Sequence, residues 1–319
     1  MSPSPTVGAW QGDQLAHEAF VYDSDDAVRR RCVPYVEEAL DLGQPVVLVA
    51  SRAVREMLLA ALGELFDGHV SVQAAEAAWH GAPATLATYQ ESMRPLLEAG
   101  RPWRLIGEPV WLAYPGGERW SRYEAVANVA FADYPYYSLC LHDTRQVPGV
   151  RVEQQLRTHP LVWTGEPAPN CDYVPPAAYL RSVERPWTPV PDTARTVVVT
   201  RPRQALAQLQ EVVDAVVAPS RKPDVLLGLY EVVSNALKQD VAAEVTHWRD
   251  GCTVIWQVSD DGPGLHDPLA GYAPPGPDLD SGRGLWIARG IADDLSIRPT
   301  GPGTAVRLYF DDVQLSASA

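Results

Sequence analysis

The sequence predicts two α/β units joined by a proline-rich segment: a parallel sheet with helices on both faces, then an α+β sandwich with a mostly antiparallel sheet. Three observations carry this. Up to about residue 180, short continuous apolar runs alternate with amphipathic stretches, the pattern of strands covered on both faces and of the helices that cover them. Residues 181–195 then hold three prolines and no sustained periodicity. Beyond them, two apolar runs flank an Asp-Gly step, a hairpin signal.

Taken in order, residues 19–22 read as a strand and 24–42 as a helix, with the acids of 23–26 as cap candidates. Residues 45–50 (PVVLVA) are a buried strand, followed by helices at 51–66 and 84–99. Strands at 103–107 and 136–142 bracket a helix near 118–131. In the second unit, 196–200 (TVVVT) is a strand and 203–217 a helix. A helix at 223–239 opens on Pro223 and Asp224, favourable first-turn residues. Strands at 241–248 and 252–259 form the hairpin, and a Gly/Pro-rich loop runs from 262 to 282. A helix at 284–293 and strands at 295–298 and 305–310 close the chain.

Charge excludes one class of partner. The 319 residues carry 40 acids against 26 bases, net -14, and neither half hides a basic domain: 1–195 is net -8 and 196–319 net -6. A phosphate-reading surface needs clustered Lys and Arg, so direct DNA binding is not expected. No run of about 18 apolar residues offers a membrane span. The N-terminus has neither a basic start nor an apolar stretch, and the four cysteines (Cys32, Cys140, Cys171, Cys252) form no CxxC pair. A reduced, cytoplasmic protein is expected.

Four short motifs follow one another in the second unit. Glu231 and Asn235 are four residues apart and share a helix face, with Lys238 nearly on it. An amide oxygen there suits Mg²⁺, and an acid beside it holds or activates a water. Asp260, Gly262 and Gly264 leave the end of a strand, where an acid accepts from an exocyclic amine and glycines let a base approach the backbone. Gly282, Arg283, Gly284 and Leu285 open a helix whose amides and dipole make an anion site. Gly303 and Thr304 precede the last strand. In this order, the set resembles the N box and the three glycine boxes of the GHKL (HATPase_c) ATPases. It looks most like the branch with anti-sigma-factor serine kinases, over residues 196–312.

That resemblance implies a Bergerat α+β sandwich binding ATP and Mg²⁺. It makes Asn235 the Mg²⁺ ligand and Glu231 the acid that polarises a water or an attacking hydroxyl. Asp260 binds the adenine amine, and Gly262 and Gly264 shape the base pocket, with Thr304 beside the adenine. Gly282 and Gly284 face the phosphates, with Arg283, Leu285 and Lys238 alongside, and residues 265–281 form a lid. One departure bears on phosphate positioning and rate. After Asn235 the family often has a basic residue, a His and a Gly, where this chain reads Lys238, Gln239 and Asp240. No His lies between His159 and His247, so the phosphoacceptor of a histidine kinase is missing and transfer to Ser or Thr of a partner fits better. Other readings stay open: an ATP-bound docking regulator without phosphoryl transfer, a two-component protein lacking its own phosphoacceptor His, and a ligand sensor with a vestigial ATP site.

Residues 14–180 resemble the MEDS sensory family through His17–Tyr22, the run at 45–50, Cys140–Arg145 and Arg157–Pro160. The family implies a RecA-like sheet. No phosphate loop follows the first strand, where acids stand instead, so no ATP is expected here. His17, Tyr22, Asp143, Arg145 and His159 form either a polar ligand pocket or a hydrogen-bonded network at the sheet edge. Cys140 and His142 offer a metal or haem ligand pair, against a reading as core residues. Trp103, Trp111 and Trp120 read as packing residues. The reading as a whole is a cytoplasmic MEDS-type sensor (14–180), a linker (181–195) and a GHKL domain (196–312). It acts on a sigma factor or an anti-anti-sigma-like antagonist in answer to an unidentified signal; the sequence leaves the oligomeric state open, a homodimer being one option because related kinases often dimerise.

Overall fold

The computed structural model describes residues 10, 12–63, 68–77, 82–273 and 282–311, which separate into two compact units, one ending at Leu180 and the next beginning at Arg181. The first runs β1 (Ala16–Tyr22), α1 (Asp25–Asp41), β2 (Val46–Ala50), α2 (Arg52–Leu62), β3 (Val70–Ala74) and α3 (Ala82–Glu98). It continues with β4 (Trp103–Gly107), α4 (Trp120–Ala130), β5 (Tyr136–Asp143), α5 (Gly149–Leu156), β6 (Leu161–Trp163), β7 (Pro167–Pro169) and α6 (Pro176–Ser182). Its seven strands lie in the order β3-β2-β4-β5-β1-β6-β7, all pairs parallel except β6–β7.

Strand alternation sorts the side chains onto two faces. Phe20, Tyr22, Leu48, Ile106 and Leu139 pack with Val28, Cys32 and Val36 of α1 and with Val54 and Leu58 of α2 in one apolar core. Neighbouring residues His17 and Glu18 point opposite ways. Glu18 takes a bidentate Arg31 from α1, at 2.9–3.1 Å, and a short hydrogen bond from Tyr137. His17 reaches Asn128 of α4 on the other face, where Trp103 also stacks on Tyr136 with centroids 4.4 Å apart. The sheet is therefore covered on both sides, as expected. β3, α5, β6, β7 and α6 are additions that the periodicity did not signal. β3 is a largely exposed edge, and β6 and β7 are three residues each, too short to show a period.

The second unit is an α+β sandwich: β8 (Arg195–Val199), α7 (Pro202–Val216), α8 (Lys222–Leu237), β9 (Ala243–Asp250), β10 (Thr253–Asp260), α9 (Arg283–Ile291), β11 (Asp294–Thr300) and β12 (Gly303–Asp311). The sheet order is β11-β12-β10-β9-β8 and every pair is antiparallel. Gly251, at φ +58°, makes the β9–β10 turn. One sheet face packs Val245, Trp256, Val258 and Leu308 under Leu209 of α7, Leu229 and Val233 of α8 and Ala288 of α9. The other face carries Trp248, Ile255 and Tyr309.

The proline-rich segment lies along that second face. Trp187 donates to Ser296 Oγ at 2.8 Å and sits under the Arg307 guanidinium at 4.2 Å, and Arg185 pairs with Asp294 and Asp311. No helix among the described residues is long and apolar enough to cross a membrane.

Candidate functional site

The four motifs of the second unit converge on one end of the sandwich. Glu231 and Asn235 stand one turn apart on α8, both half-buried. Gly284, in the first turn of α9, lies directly against them. A Cβ there would sit 2.8 Å from Glu231 Oε2 and 3.4 Å from Asn235 Oδ1. Neither side chain directs its polar end to a hydrogen bond with another described residue, so a carboxylate and a carboxamide oxygen are left facing the opening of α9. Such a donor pair suits a hard cation. Gly282 caps α9 in the left-handed conformation, φ +95°, which leaves the helix's first N–H groups uncovered by a side chain. Arg283 next to it is exposed.

A second group forms at the end of β10. Asp260 pairs in register with Thr304 on β12, and its Oδ1 accepts the Gly262 N–H at 2.8 Å. The other carboxylate oxygen has no partner among the described residues. Glycine is required at 303, where a Cβ would come within 1.7 Å of the Asp260 backbone carbonyl oxygen, and a Cβ on Gly262 would press on the Asp260 carboxylate at 2.9 Å from Oδ1. Gly264, at φ +80°, turns the loop back over Gly303. Gln239, at the end of α8, reaches the same loop, its Oε1 3.7 Å from where a Gly262 Cβ would lie.

Lys238 is exposed at the C-cap of α8, and Asp240 after it holds φ +57°. Leu285 packs its side chain on the core, while its carbonyl lies 2.7 Å from a Cβ built on Gly271. Residues 265–273 of the anticipated lid are thus anchored on α9; residues 274–281 lie outside the described residues. Arg289 does the anchoring. Its Nε donates to Ala270 O at 2.8 Å, one terminal nitrogen donates to Leu295 O at 2.9 Å, and its guanidinium lies 4.0 Å over Tyr272. Sequence reasoning gave Arg289 no role. Its signal was a lone Arg on the buried side of a short helix.

Two family models match the chain. One, described as the MEthanogen/methylotroph, DcmR sensory domain (MEDS), covers residues 16–160. The other, a histidine kinase-like ATPase domain, covers 196–310. The chain is a MEDS domain fused to a histidine kinase-like ATPase domain. No curated protein matches it. Solved structures similar to part of it include the RsbU and RsbW domains of Rv1364c from Mycobacterium tuberculosis, at 20% identity over 38% of this chain and TM-score 0.27. The chain spans only 32% of that structure. The catalytic domain of histidine kinase ThkA is 14% identical over 37% of this chain and 96% of its own, TM-score 0.27. A mycobacterial sensor histidine kinase, MprB, is 17% identical over 37% and 97%, TM-score 0.26.

In the MEDS domain, the five polar residues anticipated as one group fall into two. Tyr22, Asp143 and Arg145 meet at the carboxyl ends of β1 and β5, where Arg145 grips Asp143 at 2.8 Å and reaches Asp25 at 2.8 Å. Burial raises the Asp143 carboxyl, but hydrogen bonds from Arg145 and Gln146 outweigh it and hold it below the ordinary value. His17 and His159 instead lie deep in the face toward α4, with ring centroids 4.0 Å apart. Cys140 joins them, 3.4 Å from His17 Nε2. His142, fully buried with neither ring nitrogen hydrogen-bonded among the described residues, packs edge-on against His159. Burial and the nearby His17 push its pKa down to about 3, so it is a neutral core ring.

Proposed function

We propose that the chain is a cytoplasmic signalling kinase whose ATPase domain binds Mg²⁺–ATP and passes a phosphoryl group to a serine or threonine of a partner protein, under control of the MEDS domain. One observation carries the reading. The amide end of α9 meets the Glu231–Asn235 face with Gly284, and hence no side chain, between them. Mg²⁺–ATP, when bound, supplies the phosphoryl group and counter-charge for it. Asn235 holds the metal through its amide oxygen. Asp260, with its spare oxygen, accepts from the adenine amine beside Gly262, Gly264 and Thr304. Gly282, Arg283, Gly284, Leu285 and Lys238 border the phosphates. Glu231 receives the proton of the acceptor hydroxyl as the new P–O bond forms and the β,γ-bridging bond breaks, the bridge oxygen leaving with ADP.

The acceptor belongs to another protein because no His lies between His159 and His247, and residues 183–194 before β8 hold no helix that would carry one. A sigma factor or an anti-anti-sigma-like antagonist fits that role. At net charge -14 the contact is with protein and not with DNA.

Calorimetric titration of the full chain with ATP, with and without Mg²⁺, tests the binding half. Asn235→Ala is expected to weaken Mg²⁺-dependent binding at least tenfold. Glu231→Gln is expected to keep binding while acid-stable phosphate on a co-purified partner falls by roughly a hundredfold or more. Unchanged binding by Asn235→Ala, or acid-labile phosphate on the chain itself, overturns the reading. The docking alternative draws on Gln239 and Asp240, which put an amide and an acid where the family often has a His and a Gly. It requires that wild type and Glu231→Gln bind the partner alike and that neither transfers phosphate.

A further inference from the structure

The MEDS domain carries a second constellation that the ATP site does not use. His17 on β1, Glu124 on α4, Cys140 on β5 and His159 after α5 bring one ligand atom each to within 4.8 Å of one another, all four side chains being buried. Tetrahedral zinc, with bonds of about 2.0–2.2 Å to N and O and about 2.3 Å to S, holds its ligand atoms about 3.3 Å apart for N···O and about 3.6 Å for N···S. His17 Nε2 lies 3.2 Å from Glu124 Oε2 and 3.4 Å from Cys140 Sγ.

The groups behind these four fix which atoms face inward. Asn128 donates its amide to Glu124 O at 2.9 Å and Thr158 O at 2.7 Å, so its Oδ1 can only accept, and it takes the Nδ1–H of His17 at 3.0 Å. His159 Nδ1 faces the Gln155 carbonyl at 2.7 Å and must donate to it. Both imidazoles therefore turn Nε2 toward ligand duty, and His159 Nε2 is buried with no hydrogen-bond partner among the described residues. Glu124 accepts Trp120 Nε1–H on Oε1, which leaves Oε2 for the cluster. Imidazoles oriented through their second nitrogen and a carboxylate tied by a donor are the outer-shell pattern of a metal centre. The adjacent cavity is lined by Trp111, Trp120, Tyr123 and Tyr136 together with His17, Glu124 and Cys140 themselves.

We propose that His17, Glu124, Cys140 and His159 form a binding site for a zinc-class divalent transition metal inside the MEDS domain. Two imidazoles, a thiolate and a carboxylate are the donors such ions select over Mg²⁺ or Ca²⁺. Binding ejects the thiol proton of Cys140 and any proton on His17 Nε2 to solvent, and satisfies the orphaned lone pair of His159.

The test uses the full chain with the exposed Cys171 and Cys252 changed to Ser, so that neither thiol captures metal. Titration with Co²⁺ is expected to give one equivalent with a thiolate-to-cobalt charge-transfer band, displaced by Zn²⁺, and Zn²⁺ should raise the melting temperature. Cys140→Ser should abolish the band, and His159→Gln should weaken zinc binding more than tenfold, each with an unchanged far-ultraviolet circular dichroism spectrum. Asn128→Ala, which frees the His17 ring, should cost about tenfold or more. The cobalt spectrum and zinc melt of this parent chain need no substitution in the cluster, so a cluster variant that fails to fold leaves the test intact. Absence of the band in the folded parent chain, or metal binding that Cys140→Ser and His159→Gln both leave unchanged, overturns the site.

Discussion

Glu108 follows β4 and is buried, accepting the Ser51 N–H at 2.7 Å and the Tyr22 hydroxyl at 3.5 Å. Burial raises its carboxyl above the ordinary 4.5, and the charges of Asp143 and Glu76 add to this, while the Ser51 hydrogen bonds only partly offset it. A raised folded value means that the group favours the native state fully below pH 4.5, and that this contribution is lost as pH rises through the folded value. Glu108→Gln keeps the shape and stays neutral. Its melting temperature should exceed the wild type's at pH 7, with the gap closing toward pH 4; a pH series of thermal melts decides it.

The motifs that meet at one end of the second sandwich could be read as a set because each is local in sequence: one helix face, one strand end, one helix start. His17, Glu124, Cys140 and His159 were not legible as a set. They come from four separate elements, and only the register His17↔Ser138 and Ala19↔Cys140 brings two of them side by side. Cys140 and His142 read from sequence as either a metal or haem pair or core residues; the structure packs His142 in the core and sets Cys140 beside His17.

At the scale of elements, long periodic segments were found with their ends near the predicted places, and α8 is the clearest case. Its end holds the departure from the family pattern. Val241 N donates to Ala236 O and Asp240 N to Leu237 O, closing the helix through a left-handed Asp240 at φ +57°. That is a position at which glycine is unstrained and an acid at a helix C-terminus opposes the dipole. Asp240→Gly should stabilise the ATPase domain by about 0.5–1 kcal/mol, read by urea melts at pH 7. An unchanged or lower midpoint would mean that the Asp240 side chain makes a compensating contact. Elements missed by sequence reasoning share a physical cause. β3 has no buried alternate face, β6 spans only three residues, and β7 at the sheet edge reads Pro-Ala-Pro, whose prolines mask strand propensity.

For the whole molecule, the division into two units was readable from a proline-rich stretch, but where that stretch lies was not. Trp187 within it was the one hint, a large aromatic in a segment otherwise fit for solvent, and it packs against the ATPase sheet through Ser296 and Arg307. The two apolar cores are separate, one under α1 and α2 and the other under α7, α8 and α9. Ligand-induced stability can therefore be read for each domain from its own core amides. Mg²⁺–ATP at 100 times its Kd should stabilise its own domain by about 2.7 kcal/mol, slowing exchange of the core amides of α8 and β10 about a hundredfold. Control by the MEDS domain adds a stricter requirement, because coupling is reciprocal. If the folded MEDS domain changes the ATP affinity of its neighbour by some factor, Mg²⁺–ATP must change the stability of the MEDS domain by the same factor. Hydrogen exchange of the full chain should then show the amides of β1 and β5 shifting by about 5- to 150-fold with nucleotide, with no nucleotide bound at the MEDS domain itself. Identical exchange in β1 and β5 with and without Mg²⁺–ATP would reduce the fusion to a tether and remove the sensor from the control of the kinase.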